Sequence, residues 1–128
     1  MSFETELIDR LEADSGIGAI ADDRIYPDRL PNTPVLPALV WQQISGVRVY
    51  HLSGPSGRAE PRYQIDCWGS TKTQAKALSA AVRSSLSGFN GKLTTVRAVI
   101  KLDNERDDYD ETIKAYRVIL DFLASHTE

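Results

Sequence analysis

The apolar residues of this chain change their spacing abruptly at residue 70. Over residues 60–69, EPRYQIDCWG, they alternate with polar residues, and this period of two predicts a half-buried strand. Its apolar face carries Tyr63, Ile65 and Cys67, and its other face carries Arg62, Gln64, Asp66 and Trp68. Over residues 70–88 the spacing becomes about 3.6, which predicts an amphipathic helix. A strand that leads directly into such a helix favours a fold in which helices cover a sheet.

The ends of this helix are marked by residues that cap helices. Thr71 and Gln74 fit a capping box, and Gly88 is a typical stop. Its apolar stripe consists of Ala75, Leu78, Val82 and Leu86. A second helix is predicted over residues 2–13, with Ser2 as its cap. The stripe of that helix consists of Phe3, Leu7, Ile8 and Leu11.

Three further segments have strand patterns: residues 38–50, 92–103 and 112–125. Gly46 suggests a bulge in the first of them. The segment 52–60, LSGPSGRAE, is rich in turn formers and longer than a tight two-residue turn needs, so it predicts a projecting hairpin arm. The acidic segment 103–111, DNERDDYDE, is predicted to be a second hairpin loop.

Prolines at positions 27, 31, 34 and 37 shape the segment between the first helix and the first strand. Proline lacks an amide donor and biases the preceding residue towards extended backbone, so residues 27–37 predict a stiff surface strap. The residues before it, 16–27, predict a turn, a short apolar segment and a short extended piece that ends at Pro27.

These elements predict one α+β domain over residues 1–128. The expected architecture has two layers, with a mainly antiparallel four-stranded sheet and two helices packed on one face. The expected order along the chain is α-β-β-α-β-β.

The composition excludes several classes of function. The net charge is −3, and the 15 basic residues do not form the strongly basic footprint of a sequence-specific DNA-binding protein. No apolar run approaches the roughly 20 residues of a membrane span. The acidic N-terminus does not resemble a secretory signal, so synthesis in the cytoplasm is expected.

Three patterns that suggest chemistry fail on inspection, so we predict neither an enzyme nor a bound cofactor or metal. Gly57 is followed by Arg58 and a strand, whereas a phosphate loop requires a lysine and a helix. A calcium loop that began at Asp103 would need glycine and glutamate where Asp108 and Lys114 stand. Cys67 is predicted to be buried, and His51 and His126 form no set with it.

Trp68 poses a separate question, because it alternates with Gln64 and Asp66 on the polar face of its strand. An exposed tryptophan there suggests a contact surface, and packing at a sheet edge is the alternative.

The succession of RIYP, the proline strap, PALVWQQISG, LSGPSG, PRYQIDCWGST and QAKALSAAVR resembles the tail completion proteins of long-tailed bacteriophages. These are also described as tail terminator or head-to-tail joining proteins. The resemblance covers roughly residues 7–122 and depends on all these pieces occurring in order.

The resemblance implies a structural role in the virion. Small α+β subunits would form a ring, with six copies to match the tail tube, at the head-proximal end of the tail. The ring would stop tube elongation, bind the tube protein and the head-tail connector, and let DNA pass without binding it specifically. Assembly would occur in the host cytoplasm. In such a ring one surface of a subunit meets a different surface of its neighbour.

We predict the subunit or partner interface from the arm and the tryptophan: Ser53, Gly54, Pro55, Ser56, Gly57, Arg58 and Trp68. We also predict that the acidic loop borders the DNA channel, where negative charge would repel passing DNA. The residues concerned are Asp107, Asp108, Asp110 and Glu111. The alternatives are another minor virion or baseplate subunit, a small hydrolase or nucleotide-binding enzyme, and a monomeric adaptor.

Overall fold

The computed structural model of the chain describes residues 2–127. In chain order its elements are α1 (Phe3–Ala13), α2 (Ser15–Ala21), β1 (Ile25–Pro27), β2 (Ala38–His51), β3 (Gly54–Gly69), α3 (Lys72–Leu86), β4 (Asn90–Lys92), β5 (Arg97–Asp110) and β6 (Ala115–Thr127).

The strands form one six-stranded sheet in the order β1-β2-β3-β6-β5-β4. β1 is parallel to β2 and all other pairs are antiparallel, and the mixed sheet curls into a half-barrel. The prediction of a four-stranded sheet with two helices was therefore wrong. The prediction missed β4 and the helix α2, and it did not count the extended piece that ends at Pro27 as a strand of the sheet. Elements of three to seven residues are too short to display a period.

The helices cover one face of the sheet, and the main core lies between them. As the alternation predicted, Tyr63, Ile65 and Cys67 of β3 point into this core, and Leu39 of β2 joins them. The helices contribute the stripes predicted for α1 and α3, with Ile8 only partly buried.

The predicted helix ends are confirmed. The Ser2 hydroxyl accepts a hydrogen bond from the Thr5 amide, and the Thr71 hydroxyl accepts one from the Gln74 amide. The Gln74 side chain accepts a hydrogen bond in return, from the amide of Ser70 at 2.9 Å. Beyond α3, Gly88 has a φ of +79°, which glycine adopts without steric cost.

The proline strap covers part of the opposite face of the sheet. Leu30 and Leu36 of the strap, with Tyr26 of β1, pack against Val40, Trp68 and Ala115. This second, smaller core holds the strap on the sheet through its apolar residues.

Both predicted hairpins are present, but their loops are shorter than expected. β2 and β3 continue to His51 and Gly54, so Leu52 and Ser53 form a two-residue turn where a longer loop was expected. β5 continues to Asp110 and pairs with β6 along the acidic segment, so most of DNERDDYDE lies in a strand. The β2 bulge falls at Ile44, between the paired residues Gln43 and Ser45, and not at Gly46.

Candidate functional site

The tip of the β2–β3 hairpin extends beyond the rest of the sheet, and we call residues 44–57, which comprise this tip and the adjoining stretch of β2, the arm. The last pairs between β3 and β6 are Ala59 with His126 and Arg58 with Thr127. On the other side, β1 pairs only with Leu39–Trp41 of β2. Residues 50–57 therefore have only each other as strand partners, and both outer edges of the hairpin are open there. Residues 45–49 pair with residues 58–62 of β3, so along them only the outer edge of β2 is open. Open edges of this kind readily add another strand.

The arm also exposes large apolar side chains. Tyr50 is 68% exposed and Leu52, in the turn, is fully exposed at 112%. Ile44 and Val47 are exposed as well. Four of the nine large hydrophobic residues that are exposed within residues 2–127 thus lie on one short hairpin. Such a concentration is typical of a surface that another molecule covers.

The predicted contact residues Ser53 to Arg58 lie in the arm or at its base, but they do not include its apolar side chains. Ser56 is occupied internally, because its hydroxyl donates to the Val49 carbonyl at 2.7 Å. Gly54 and Gly57 have positive φ angles of 137° and 79° and shape the start of β3. The apolar residues of the β2 side were missed, although the run of Val47, Val49 and Tyr50 signalled them.

Trp68 lies on the face predicted for it, but the expectation that it would be exposed was wrong. The strap covers it, and only 6% of its surface is exposed. The guanidinium of Arg117 lies 4.9 Å from the centre of its ring. The indole Nε1 and the Arg117 Nε are both buried without a hydrogen-bond partner. Trp68 is thus part of the second core and not of the open surface.

Arg117 connects this core to two carboxylates. Its Nη1 lies 3.3 Å from Asp66 Oδ2, and its Nη2 donates to Asp108. Burial raises the pKa of Asp66, while hydrogen bonds from Gln64 and Arg117 oppose that shift. The hydrogen bond from Arg117 lowers the pKa of Asp108. The arrangement is an ion-pair network in which each group has a partner, and it holds β3, β5 and β6 in register.

A bulge at Asp103 turns the acidic strand over. Before it, Leu102 points into the main core, and after it Glu105 and Asp107 point to the same side and meet α3. Asp107 Oδ1 lies 2.6 Å from Lys76 Nζ, and Glu105 lies 3.3 Å from Arg83. The hydrogen bond from Lys76 lowers the pKa of Asp107. Glu105 and Asp107 of the acidic strand are therefore paired with the basic side of α3.

The end of the β5–β6 hairpin forms a second exposed surface, and we call residues 107–116 the far end. Tyr109 and Tyr116 are exposed with ring centres 4.9 Å apart, and Ile113 is exposed in the turn. Beside the tyrosines lies a shallow cavity of about 190 Å³, which Ala75 and Val118 also line. Asp107, Asp108 and Asp110 lie in β5, while Glu111 lies in the turn.

The residues considered for catalysis do not come together. Cys67 is fully buried, and burial raises the pKa of its thiol well above the ordinary value. His126 stacks on Phe3 and pairs with Ala59, eight residues from Cys67 along β3, and His51 lies in the arm. Within the described residues, no three His, Cys, Asp or Glu side chains are grouped to hold a metal ion. No helix in that part of the chain has the length and hydropathy of a membrane span.

Comparison with known proteins places this fold among phage components. A family model described as "Tail completion protein gp17" matches residues 5–127. A chain in the solved structure of a "Virion of native gene transfer agent (GTA) particle" has the same fold, with a TM-score of 0.83 at 18% sequence identity. The match covers 99% of this chain and 96% of that one. No curated protein matches significantly in sequence.

Proposed function

Because the chain belongs to the family of tail completion protein gp17, a structural component of phage tails, we propose that its copies form a closed ring on the tail tube. The ring lies at the head-proximal end, stops elongation of the tube and joins the tail to the head. Its role is structural and involves no catalysis. Six copies would match the tube, and assembly takes place in the host cytoplasm before the ring becomes part of the virion.

The arm is the observation that supports this proposal. It extends beyond the sheet, leaves two strand edges open and exposes Tyr50 and Leu52. A ring needs contacts in which one surface of a subunit meets a different surface of the next, because only such contacts propagate and then close. A projecting hairpin with open edges provides a surface of this kind, and strand addition gives it main-chain hydrogen bonds.

The partners follow from the position of the ring. One face binds the tail tube protein and the other binds the connector of the filled head, while DNA passes through the centre without specific binding. The modest net charge of −3 agrees with a channel that does not retain DNA.

Electron microscopy of phage that lack the protein tests the role. A terminator defect gives overlong tails or tails without heads, whereas a baseplate defect prevents tails from starting. Normal tails with heads attached would refute the proposal, and absent tails would favour the baseplate alternative.

A point variant makes the test specific to the arm. Leu52→Asp places a charge at the tip, so particles should lose head attachment while the protein stays folded, since that side chain is fully exposed. Ser84→Asp is the matched control, because it adds the same charge at an exposed position of α3. Equal infectivity of the two variants would contradict a role for the arm.

We also propose that the acidic segment borders the channel. Asp107 and Asp108 are paired within the chain, whereas Asp110 caps the turn and Glu111 is exposed. Serine at Asp107, Asp108, Asp110 and Glu111 should impair DNA passage if the segment borders the channel. Unchanged infectivity would count against that position.

A further inference from the structure

The exposed apolar residues are concentrated at two places on the sheet. Among residues 2–127, four of the nine large exposed hydrophobic residues lie on the arm, and three more, Tyr109, Ile113 and Tyr116, lie on the far end. In that range the other two are Val35 and Val99. A monomer has no need of two such clusters, and each is a surface that another molecule would cover.

The strand register puts these clusters at opposite ends of the sheet. Arg58, at the base of the arm, pairs with Thr127, whereas Gly69 at the other end of β3 pairs with Tyr116. The 11 residue steps from Arg58 to Gly69 span roughly 35 Å at about 3.3 Å per residue. The arm points away from that span, so a chain cannot cover its own far end with its own arm.

The two surfaces are complementary in charge. The arm includes Arg48 and no acidic residue, and Arg58 lies at its base. The far end includes four acidic residues and one basic residue. Some of that charge is balanced within the chain, but among residues 2–127 no cation lies within 4 Å of Asp110 or Glu111. The far end therefore keeps negative charge beside its exposed tyrosines.

We propose that the arm of one copy docks on the far end of the next copy, head to tail around the ring. This inference rests on the proposed function and names the surface that receives the arm. The apolar side chains of the arm pack on Tyr109, Ile113 and Tyr116, with the shallow cavity between α3 and β6 open to one of them. Arg48 in the arm and Arg58 at its base face the carboxylates of the turn. Because the two surfaces differ, the contact is heterologous and repeats until the ring closes.

Photo-cross-linking in assembled tails tests this contact. A benzophenone amino acid in place of Leu52 should give a covalent dimer of twice the 14.2 kDa chain mass. Mass spectrometry should locate the link within residues 107–118 of the second copy. The same probe in place of Ser84 is the control and should not label that segment. Links from position 52 to another protein, or to another part of this chain, would overturn the proposal.

A reciprocal probe guards against a substitution that prevents incorporation. The benzophenone residue in place of Ile113 should label residues 44–57 of a neighbouring copy, and its failure to do so in assembled tails would overturn the proposal as well. Failure of this contact and failure of the proposed function would give different results. A position 52 probe that labels the tube protein at the end of normally terminated tails would refute this contact only. The expected cross-link between copies, found together with normal tail length in phage that lack the protein, would refute the proposed function and leave the contact standing.

Discussion

The carboxylate of Glu6 accepts hydrogen bonds from the backbone amide and the hydroxyl of Thr95, which lies 89 residues further along the chain. It also accepts from the amides of Thr94, at 2.8 Å, and Val96, at 3.0 Å. Only 1% of its surface is exposed. One side chain thus fastens α1 to the turn between β4 and β5, and the packing of the first helix depends on it.

Glu6 should make the stability of the fold depend on pH in the acidic range. Its hydrogen bonds, above all the one from the Thr95 hydroxyl, lower its pKa from the ordinary 4.5 to about 2. The contribution of the carboxylate to stability is therefore complete above pH 4.5 and is lost as the pH falls towards 2. Glu6→Gln should lower the unfolding midpoint at pH 7 and flatten its decline between pH 5 and 2.5. Thermal unfolding measured across this pH range gives the unfolding midpoints of the variant and the original protein. Glu12→Gln is the control, because Glu12 is exposed on the same helix, and it should behave like the original protein.

Trp68 should tolerate loss of its indole nitrogen better than loss of its ring. Its Nε1 is buried without a partner, so Trp68→Phe removes an unsatisfied donor and should cost only about 1 kcal/mol. Trp68→Ala should cost about 4 kcal/mol, because it leaves a cavity under the strap. Urea unfolding of both variants checks the contrast. Equal losses would mean that the strap does not hold the ring as described.

Removal of Arg117 should leave a buried carboxylate without its cation. Asp66 is only 7% exposed, and Arg117→Ala should cost about 2 to 3 kcal/mol at pH 7, less than for a fully buried pair. Burial already raises the pKa of Asp66 above the ordinary 3.8, and loss of the cation raises it further. The folded state then takes up the proton first, so the variant should gain stability as the pH falls through that raised pKa. Denaturant titrations at several pH values measure this.

The double variant Arg117→Ala with Asp66→Asn provides the control. It removes the charge that the arginine balances, so it should recover part of the stability and lose the pH dependence specific to Arg117→Ala. A double variant no more stable than the single one would show that Arg117 acts through its contact with Trp68 instead.

Gly69 should not tolerate a side chain. A Cβ at this position would lie 2.6 Å from the Ala75 amide nitrogen and 2.9 Å from the Thr71 carbonyl, so the start of α3 would have to move. Gly69→Ala should therefore cost about 2 kcal/mol or more. Gly18→Ala is the matched control, since nothing lies within 4 Å of its Cβ and alanine favours the helix α2. Melting temperatures should fall for the first variant and hold or rise for the second.

Local patterns determined which residues of β3, α1 and α3 face the core and where α1 and α3 begin. Tyr63, Ile65 and Cys67 are confined to one face because side chains alternate along a strand, whatever lies beyond it. Thr71 and Gln74 cap α3 through bonds that span four residues at most. Such features depend on near neighbours in the chain, so the sequence alone specifies them.

Only the tertiary structure decided how distant segments meet. Asp107 faces Lys76 because a bulge at Asp103 turns the strand over, and no local pattern marks that bulge. Trp68 is buried because the strap, about 30 residues earlier, folds across it. The separation of the arm from the far end likewise follows from strand register, which non-local pairing sets. Contacts between segments far apart in sequence depend on the shape of the whole molecule, and local residue spacing does not encode them.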